Sequence, residues 1–174
     1  MTSLCHHVAI QVADLDRAIT FYGDVLDGHI LTAPRDVGPP QAGEVMGGPS
    51  NARFRVCRLG FDAGCLELFQ FVGAAADFPD WVRRDGTARL PHFGVHVADV
   101  AQTLERVERR GGRRLWPQAE EWGTAKTMYA ADPDGNVFEL CDASLDDLVD
   151  LLRVIYRDED HAHAGDDRRP PDGA

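Results

Sequence analysis

The segment His7-Val8-Ala9-Ile10-Gln11-Val12-Ala13-Asp14-Leu15 returns as His92-Phe93-Gly94-Val95-His96-Val97-Ala98-Asp99-Val100, and a helical pattern follows each copy. A motif used twice restricts the chain to a duplicated architecture in which neighbouring units bury their apolar faces together. Each copy also ends in an apolar strand with a single glutamate, Cys65-Leu66-Glu67-Leu68-Phe69 in the first and Asn136-Val137-Phe138-Glu139-Leu140 in the second. Two histidines and two glutamates thus recur at equivalent places, which is how a duplicated fold builds one metal site.

With 174 residues, the chain is long enough for one well-buried domain or for two small modules sharing a core. The repeat favours the modules. A formal charge of −11 and a pI near 4.9 exclude nucleic acid as the expected partner, because phosphate binding needs a surplus of Lys and Arg. The one basic cluster, Arg109, Arg110, Arg113 and Arg114, flanks Gly111-Gly112 at an expected helix end and reads as a solvated face that complements the dipole. Cys5, Cys57, Cys65 and Cys141 show no CxxC spacing, and with no signal-peptide pattern they read as reduced thiols of a cytoplasmic protein. No apolar run approaches the roughly 20 residues of a membrane span, so neither a membrane nor a nucleic acid is expected as partner.

Hydrophobic periodicity gives the order β-α-β-β-β twice. In the first copy, strand residues 4–12 lead to Asp14 as N-cap of a helix through Leu15, Ala18, Ile19, Tyr22 and Leu26, with Gly28 placed to end it. A strand follows over 29–33, then a Pro/Gly-rich segment, 34–50, containing Glu44 and long enough to act as a lid. Strands over 53–61 and 65–72 meet at the turn Asp62-Ala63-Gly64. Residues 73–90 connect the copies, with Trp81 anchoring a helical turn.

The second copy reads as strand 91–97, a helix from cap Asp99 to Gly111, a strand over 114–116, and strands 126–131 and 137–141 joined by Asp132-Pro133-Asp134-Gly135-Asn136. Ser144, with Asp147 at the capping-box position, starts a last amphipathic helix bearing Leu145, Leu148, Val149, Leu152 and Ile155, expected to cover the sheet or a partner subunit. The organisation is therefore a paired domain over 1–142 (module one about 4–72, linker 73–90, module two about 91–142), a C-terminal helix over 143–157, and a tail over 158–174. The tail has no anchoring apolar residue and is expected to be disordered, which makes His161 and His163 no catalytic pair.

The strand histidines, the helix segment Asp14-Leu15-Asp16-Arg17-Ala18-Ile19-Thr20-Phe21-Tyr22, Glu67 and the terminal Asp132-Pro133-Asp134-Gly135-Asn136-Val137-Phe138-Glu139-Leu140 together resemble the vicinal oxygen chelate superfamily over about residues 4–142. That family includes glyoxalase I, methylmalonyl-CoA epimerase, extradiol dioxygenases, fosfomycin-resistance enzymes and bleomycin-binding proteins. The resemblance implies an α+β fold in which two βαβββ modules form a curled mixed sheet around a metal-binding cavity. It also implies His7, Glu67, His92 and Glu139 as metal ligands. Strand alternation supports the same choice, placing His7 with Ala9 and Gln11, Glu67 with Phe69 and Phe71, and His92 with Gly94 and His96. A carboxylate flanked by Leu and Phe is in addition costly to bury without a cation.

Two imidazoles and two carboxylates suit Zn²⁺, Ni²⁺, Co²⁺, Mn²⁺ or Fe²⁺ without choosing among them. They leave two octahedral positions for water or adjacent substrate oxygens, and the ion there acts as a Lewis acid. The resulting expectation is a metal-dependent lyase or isomerase of the glyoxalase type, moving a proton α to a carbonyl through a chelated enediolate-like intermediate. By resemblance to glyoxalase I, Glu139 is the first candidate for general base and Glu67 the second. His96 is a further candidate acid or base, set against a hydrogen-bonded pocket histidine.

In the family the chain resembles, glutathione-using glyoxalases usually have an arginine four residues after the first ligand and an asparagine four after the first glutamate. Here Gln11 and Phe71 stand there, which implies a non-glutathione, partly apolar small molecule. Gln11, Phe69, Phe71, His96, Trp122 and Met128 are the candidate substrate-binding residues, with Trp116 and Phe54 as further lining; for Trp116, Trp122, Met128 and Phe54 plain core is the alternative. Two other readings stay open, an extradiol-type dioxygenase and a bleomycin-type binding or resistance protein. A homodimer is the expected assembly.

Overall fold

The computed structural model describes residues 7–42, 50–62, 64–73, 92–117, 119–122, 124–151 and 153–154, and not the side chains of residues 120 and 122. Cys5, Glu44, Trp81, Leu152, Ile155, His161 and His163, and with them the readings of the linker and the tail, lie outside the described residues.

Module one comprises β1 (Val8–Gln11), α1 (Leu15–Leu26), β2 (His29–Val37), β3 (Phe54–Phe61) and β4 (Gly64–Phe71). Module two comprises β5 (Phe93–His96), α2 (Val100–Arg109), β6 (Arg113–Arg114), β7 (Glu120–Trp122), β8 (Ala125–Ala131) and β9 (Val137–Cys141). A C-terminal helix, α3, covers 145–151 and 153–154. The first sheet runs β1-β4-β3-β2 and the second β5-β9-β8-β6, with β7 also on β8. In both, the module's first strand pairs parallel to its last, and the last pairs antiparallel to the strand before it. The architecture is α+β, with two βαβββ-like modules carrying mixed sheets.

Local chemistry accounts for the element ends. Asp14 and Asp99 cap α1 and α2, their Oδ1 atoms accepting from Arg17 N at 3.0 Å and Gln102 N at 2.9 Å. The left-handed residue ending α1 is Asp27 (φ 56°) rather than the expected Gly28. Aspartate tolerates that conformation, and glycine is required next because a Cβ there would lie 2.9 Å from the Phe61 ring.

Strand β2 is longer than expected and takes in Pro34, Arg35 and Asp36 of the anticipated loop. An edge position and a register shift between Thr32 and Arg35 accommodate the proline, which has no N–H to offer. The short β7 was not anticipated. Ser144 caps α3 as expected, its Oγ accepting from Asp147 N at 3.2 Å and pairing with Asp147 Oδ2 at 2.6 Å, while Leu145 and Val154 remain exposed. Arg109, Arg110 and Arg114 pair with Glu105, Asp24 and Glu108, as a solvated charged face does. Cys57, Cys65 and Cys141 are free thiols. Among the described residues, no helix is long and apolar enough to cross a membrane.

One core serves both modules. Ile10, Leu15, Phe21, Tyr22, Leu59, Leu66 and Leu68 of the first join Val97, Leu104, Val107, Met128, Phe138 and Leu140 of the second in a single buried cluster. Phe21 meets Phe138 edge-on at 6.3 Å, and Phe93 stacks on Phe138 at 5.8 Å.

A polar knot fastens the same junction. The buried Tyr22 hydroxyl donates to Asp132 Oδ2 at 2.9 Å, and Asp132 Oδ1 accepts from Asp134 N at 2.9 Å and Asn136 N at 2.8 Å. The Asn136 amide reaches both Asp132 Oδ2 (2.8 Å) and the Gln11 carbonyl (3.0 Å). The turn expected from its Pro and Asp-Gly is therefore also the clasp that holds module two to helix α1 and strand β1. Arg17–Asp134 and Arg106–Asp27 ion pairs flank it.

Candidate metal centre

Register assembles the first pair. β1 runs parallel to β4 with Ala9 beside Glu67, and His7 Nε2 lies 3.3 Å from Glu67 Oε2. The Glu67 carboxylate is buried, and its remaining oxygen, Oε1, pairs with Arg58 Nη2 from β3, the residue directly opposite Glu67 in the antiparallel ladder. A buried carboxylate demands such compensation.

The second pair repeats the plan. β5 runs parallel to β9 with Gly94 beside Glu139, and His92 Nε2 again lies 3.3 Å from Glu139 Oε2. Opposite Glu139 on β8 stands Tyr129, whose ring meets the His92 ring edge-on at 5.0 Å and the exposed Trp116 ring at 5.6 Å. Glu139 is more open than Glu67, with 22% of its side chain accessible against 8%.

The donors fit a divalent ion pairwise. Bonds near 2.1 Å put two neighbouring ligands of one ion about 3.0–3.4 Å apart, and both His-Glu separations fall inside that range. Among the described residues, however, no group of three or more His, Cys, Asp or Glu side chains is placed to hold a metal. Parity gives the reason. The shared core takes Leu66, Leu68, Phe138 and Leu140, so Glu67 and Glu139, alternating with them, occupy the faces turned away from it. Cys65 shares the Glu67 face, and burial pushes its thiol up, with Glu67 adding to the rise against the opposing Arg58; it stays a thiol rather than a thiolate donor.

The other candidate residues divide. Gln11 pairs with Phe69, two residues beyond Glu67, and His96 pairs with Cys141, two beyond Glu139, so the two are equivalent in register. Phe54, Phe69 and Phe71 gather on the Glu67 face, with ring centroids 5.2, 6.1 and 6.2 Å apart. Met128 instead faces the shared core, because it pairs with Leu140 while its neighbour Tyr129 pairs with Glu139. The Trp122 side chain lies outside the described residues. A groove of about 760 Å³ along β5 has His7 and His96 in its wall together with Phe61, Phe93 and Arg106.

Residues 4–140 match the family model described as the Glyoxalase/Bleomycin resistance protein/Dioxygenase superfamily. The chain belongs to this superfamily. Among relatives in it, a probable chloroplastic lactoylglutathione lyase of Arabidopsis thaliana is 32% identical over 137 residues, covering 77% of this chain but 34% of the relative. The chain thus spans about a third of that enzyme. A 2-epi-5-epi-valiolone epimerase of Actinomyces sp is 32% identical over 147 residues, covering 78% of this chain and 76% of the relative. A glyoxalase family protein from Bacillus cereus shares the fold, with a TM-score of 0.66 at 17% identity over 80% of this chain and 95% of that one.

Within the superfamily fold the sequence reading missed Arg58, the residue whose guanidinium meets Glu67. A signal existed. The turn pairs Phe61 with Gly64, and counting outward from it sets Arg58 against Glu67.

Proposed function

We propose that this superfamily member is a metal-dependent lyase or isomerase that transfers a proton at a carbon α to a carbonyl of a small, partly apolar, non-glutathione substrate. The observation carrying the proposal is the twofold recurrence of a His-Glu pair at 3.3 Å on register-equivalent strands. One chain turns its two pairs away from the common core, so the four-donor centre is completed in a homodimer, module one of one chain facing module two of its partner. The curled sheet and cavity implied by the family resemblance form at that junction.

In this arrangement His7, Glu67, His92 and Glu139 hold one divalent ion, of the Zn, Ni, Co, Mn or Fe group. A bound ion supplies Lewis-acid stabilisation to the substrate oxygens as negative charge develops. Glu139, the more open carboxylate, takes the proton from the substrate carbon and returns it. Gln11 and His96 stand at equivalent places on the two first strands and read the substrate's polar groups, while the half-buried Phe69 and Phe71, backed by the buried Phe54, floor its apolar part. Relatives named as a lyase and as an epimerase are compatible with one such proton transfer serving different outcomes.

The test is metal analysis of protein purified with added divalent ions, sedimentation, and solvent deuterium incorporation into candidate α-hydroxy ketones and hemithioacetals. About one ion per pair of half-sites, a dimer, and exchange abolished in Glu139→Gln are expected. Uptake below about 0.1 equivalent sinks the proposal, and O₂ consumption with catechols would replace it by a dioxygenase.

A further inference from the structure

The two His-Glu pairs are alike in distance and register, but the residue facing each glutamate across the hairpin differs in kind. Glu67 is held at both oxygens, Oε1 by the Arg58 guanidinium and Oε2 by His7. Among the described residues, Glu139 meets no cation other than His92, and that contact uses Oε2 alone. Opposite it, Tyr129 spends its ring on His92 and Trp116. Arg58 itself is anchored, since its backbone N–H donates to Thr32 Oγ1 at 3.1 Å across to β2, and its guanidinium is oriented on an almost enclosed carboxylate. A guanidinium bound to one carboxylate oxygen leaves the other as a single, fixed donor.

We infer that Arg58 is a positioning residue: by clamping Oε1 of Glu67 it would fix that carboxylate with Oε2 as its donor toward a bound metal, a restraint that Glu139 lacks. This inference rests on the proposed metal centre and adds to it the physical origin of the division of labour between two otherwise equivalent glutamates. Partners that orient a metal ligand are worth roughly 10–100-fold in metal affinity. Arg58 therefore supports binding although its charge has the same sign as the ion's.

The experiment measures metal affinity by chelator competition and the visible absorption of the Co²⁺-loaded protein for the wild type, Arg58→Met, Arg58→Lys and Tyr129→Phe. Arg58→Met is expected to bind about 10–100-fold more weakly and to change the Co²⁺ spectrum. Arg58→Lys, which can still reach Oε1, is expected to recover most of the affinity, and Tyr129→Phe to stay within about threefold of wild type, since it leaves all four donors in place. A plain fold-stabilising role for Arg58 would lower the melting temperature and leave the spectrum of the folded, loaded fraction unchanged, which would overturn the inference. So would equal or tighter binding by Arg58→Met.

Should Arg58→Met fail to fold, metal content decides through Glu67→Gln, expected to shed the ion, and Glu139→Gln, expected to keep it. Equal loss in both sinks the inference. A wild-type chain that binds no ion refutes the metal centre itself, an outcome separate from intact binding with an indifferent Arg58.

Discussion

Modules one and two place histidine and glutamate at the same register positions but surround them differently, Arg58 and a buried carboxylate in one, Tyr129 and a more open carboxylate in the other. Duplication preserves what a pair of parallel strands fixes by geometry, namely a first-strand histidine beside a last-strand glutamate. The middle strand of each sheet contributes side chains to the same face under no such constraint. Asymmetry on β3 and β8 is therefore where a duplicated scaffold can turn two equivalent carboxylates into one anchor and one base. The outer edges diverge too, a long β2 in module one against the short β6 and β7 in module two.

The largest expected effect breaks the comparison at its chemical centre. Glu139→Gln keeps size and hydrogen bonding but removes the proposed base, and α-proton exchange is expected to fall 10²–10⁴-fold, the usual contribution of a positioned base. Isotope incorporation followed by mass spectrometry reads it. A fall of less than about tenfold would return the two glutamates to equal standing.

Next comes the core common to both modules. Phe138 is fully buried between Phe21 and Phe93, and Phe138→Ala is expected to cost about 3–5 kcal/mol. Leu68→Ala, in the other sheet but the same cluster, should cost about 2–5 kcal/mol. Because the cluster is continuous, either change should shift one cooperative transition in denaturant titrations. Two separated transitions would show that the modules fold as independent units.

The repeat made most of this readable in advance. The strand-helix order, the Asp14 and Asp99 caps, the β8–β9 turn and the parity of His7, Glu67, His92 and Glu139 all follow from spacing within one strand or one helix. Information carried between strands was harder to read. For Met128 the sequence leaves pocket lining and plain core both open, and its parity relative to Glu139 across the Asp132–Asn136 turn directs it to the core. Arg58 escaped because module two offers no second arginine at that place, and a repeat search sees only what recurs. Asp27 takes the left-handed cap expected of Gly28, while the missing Cβ of Gly28 leaves room for the Phe61 ring. That fit is set in three dimensions.

A smaller effect probes the clasp between modules. Tyr22→Phe leaves Asp132 Oδ2 with the Asn136 amide but without the hydroxyl, at an expected cost of about 1–2 kcal/mol at neutral pH. Burial, then the charge and hydrogen bond of Asp132, push the Tyr22 hydroxyl far above its ordinary value. In the folded chain it therefore stays protonated where the unfolded chain has already lost its proton. A raised value stabilises fully below the unfolded pKa, near 10, and that contribution drains as pH climbs above it. Wild-type stability should decline by about 1.4 kcal/mol per pH unit above pH 10 from this group alone. The Tyr22→Phe protein should lack that component of the slope, as melting curves at pH 9 to 11 would reveal. Parallel slopes would mean the hydroxyl ionises freely in the fold.

The smallest prediction compares the two helix caps. Asp14 and Asp99 accept from the third backbone N–H of α1 and α2 in the same geometry, but α1 has a second side-chain acceptor. Gln70 Oε1 accepts from Leu15 N at 3.1 Å, while the Gln70 amide donates to the Ala13 carbonyl at 3.0 Å, tying the start of α1 to β4 from outside the helix. Cap removal costs about 1 kcal/mol on average. Asp99→Ala should reach that figure, whereas Asp14→Ala should cost about half as much, since one orphan donor stays satisfied and the segment stays tethered. The decisive control is Gln70→Ala combined with Asp14→Ala, which should exceed the sum of the single changes if the two acceptors back each other up. Strict additivity would instead show that Gln70 and Asp14 act independently and that Gln70 does not back up the Asp14 cap.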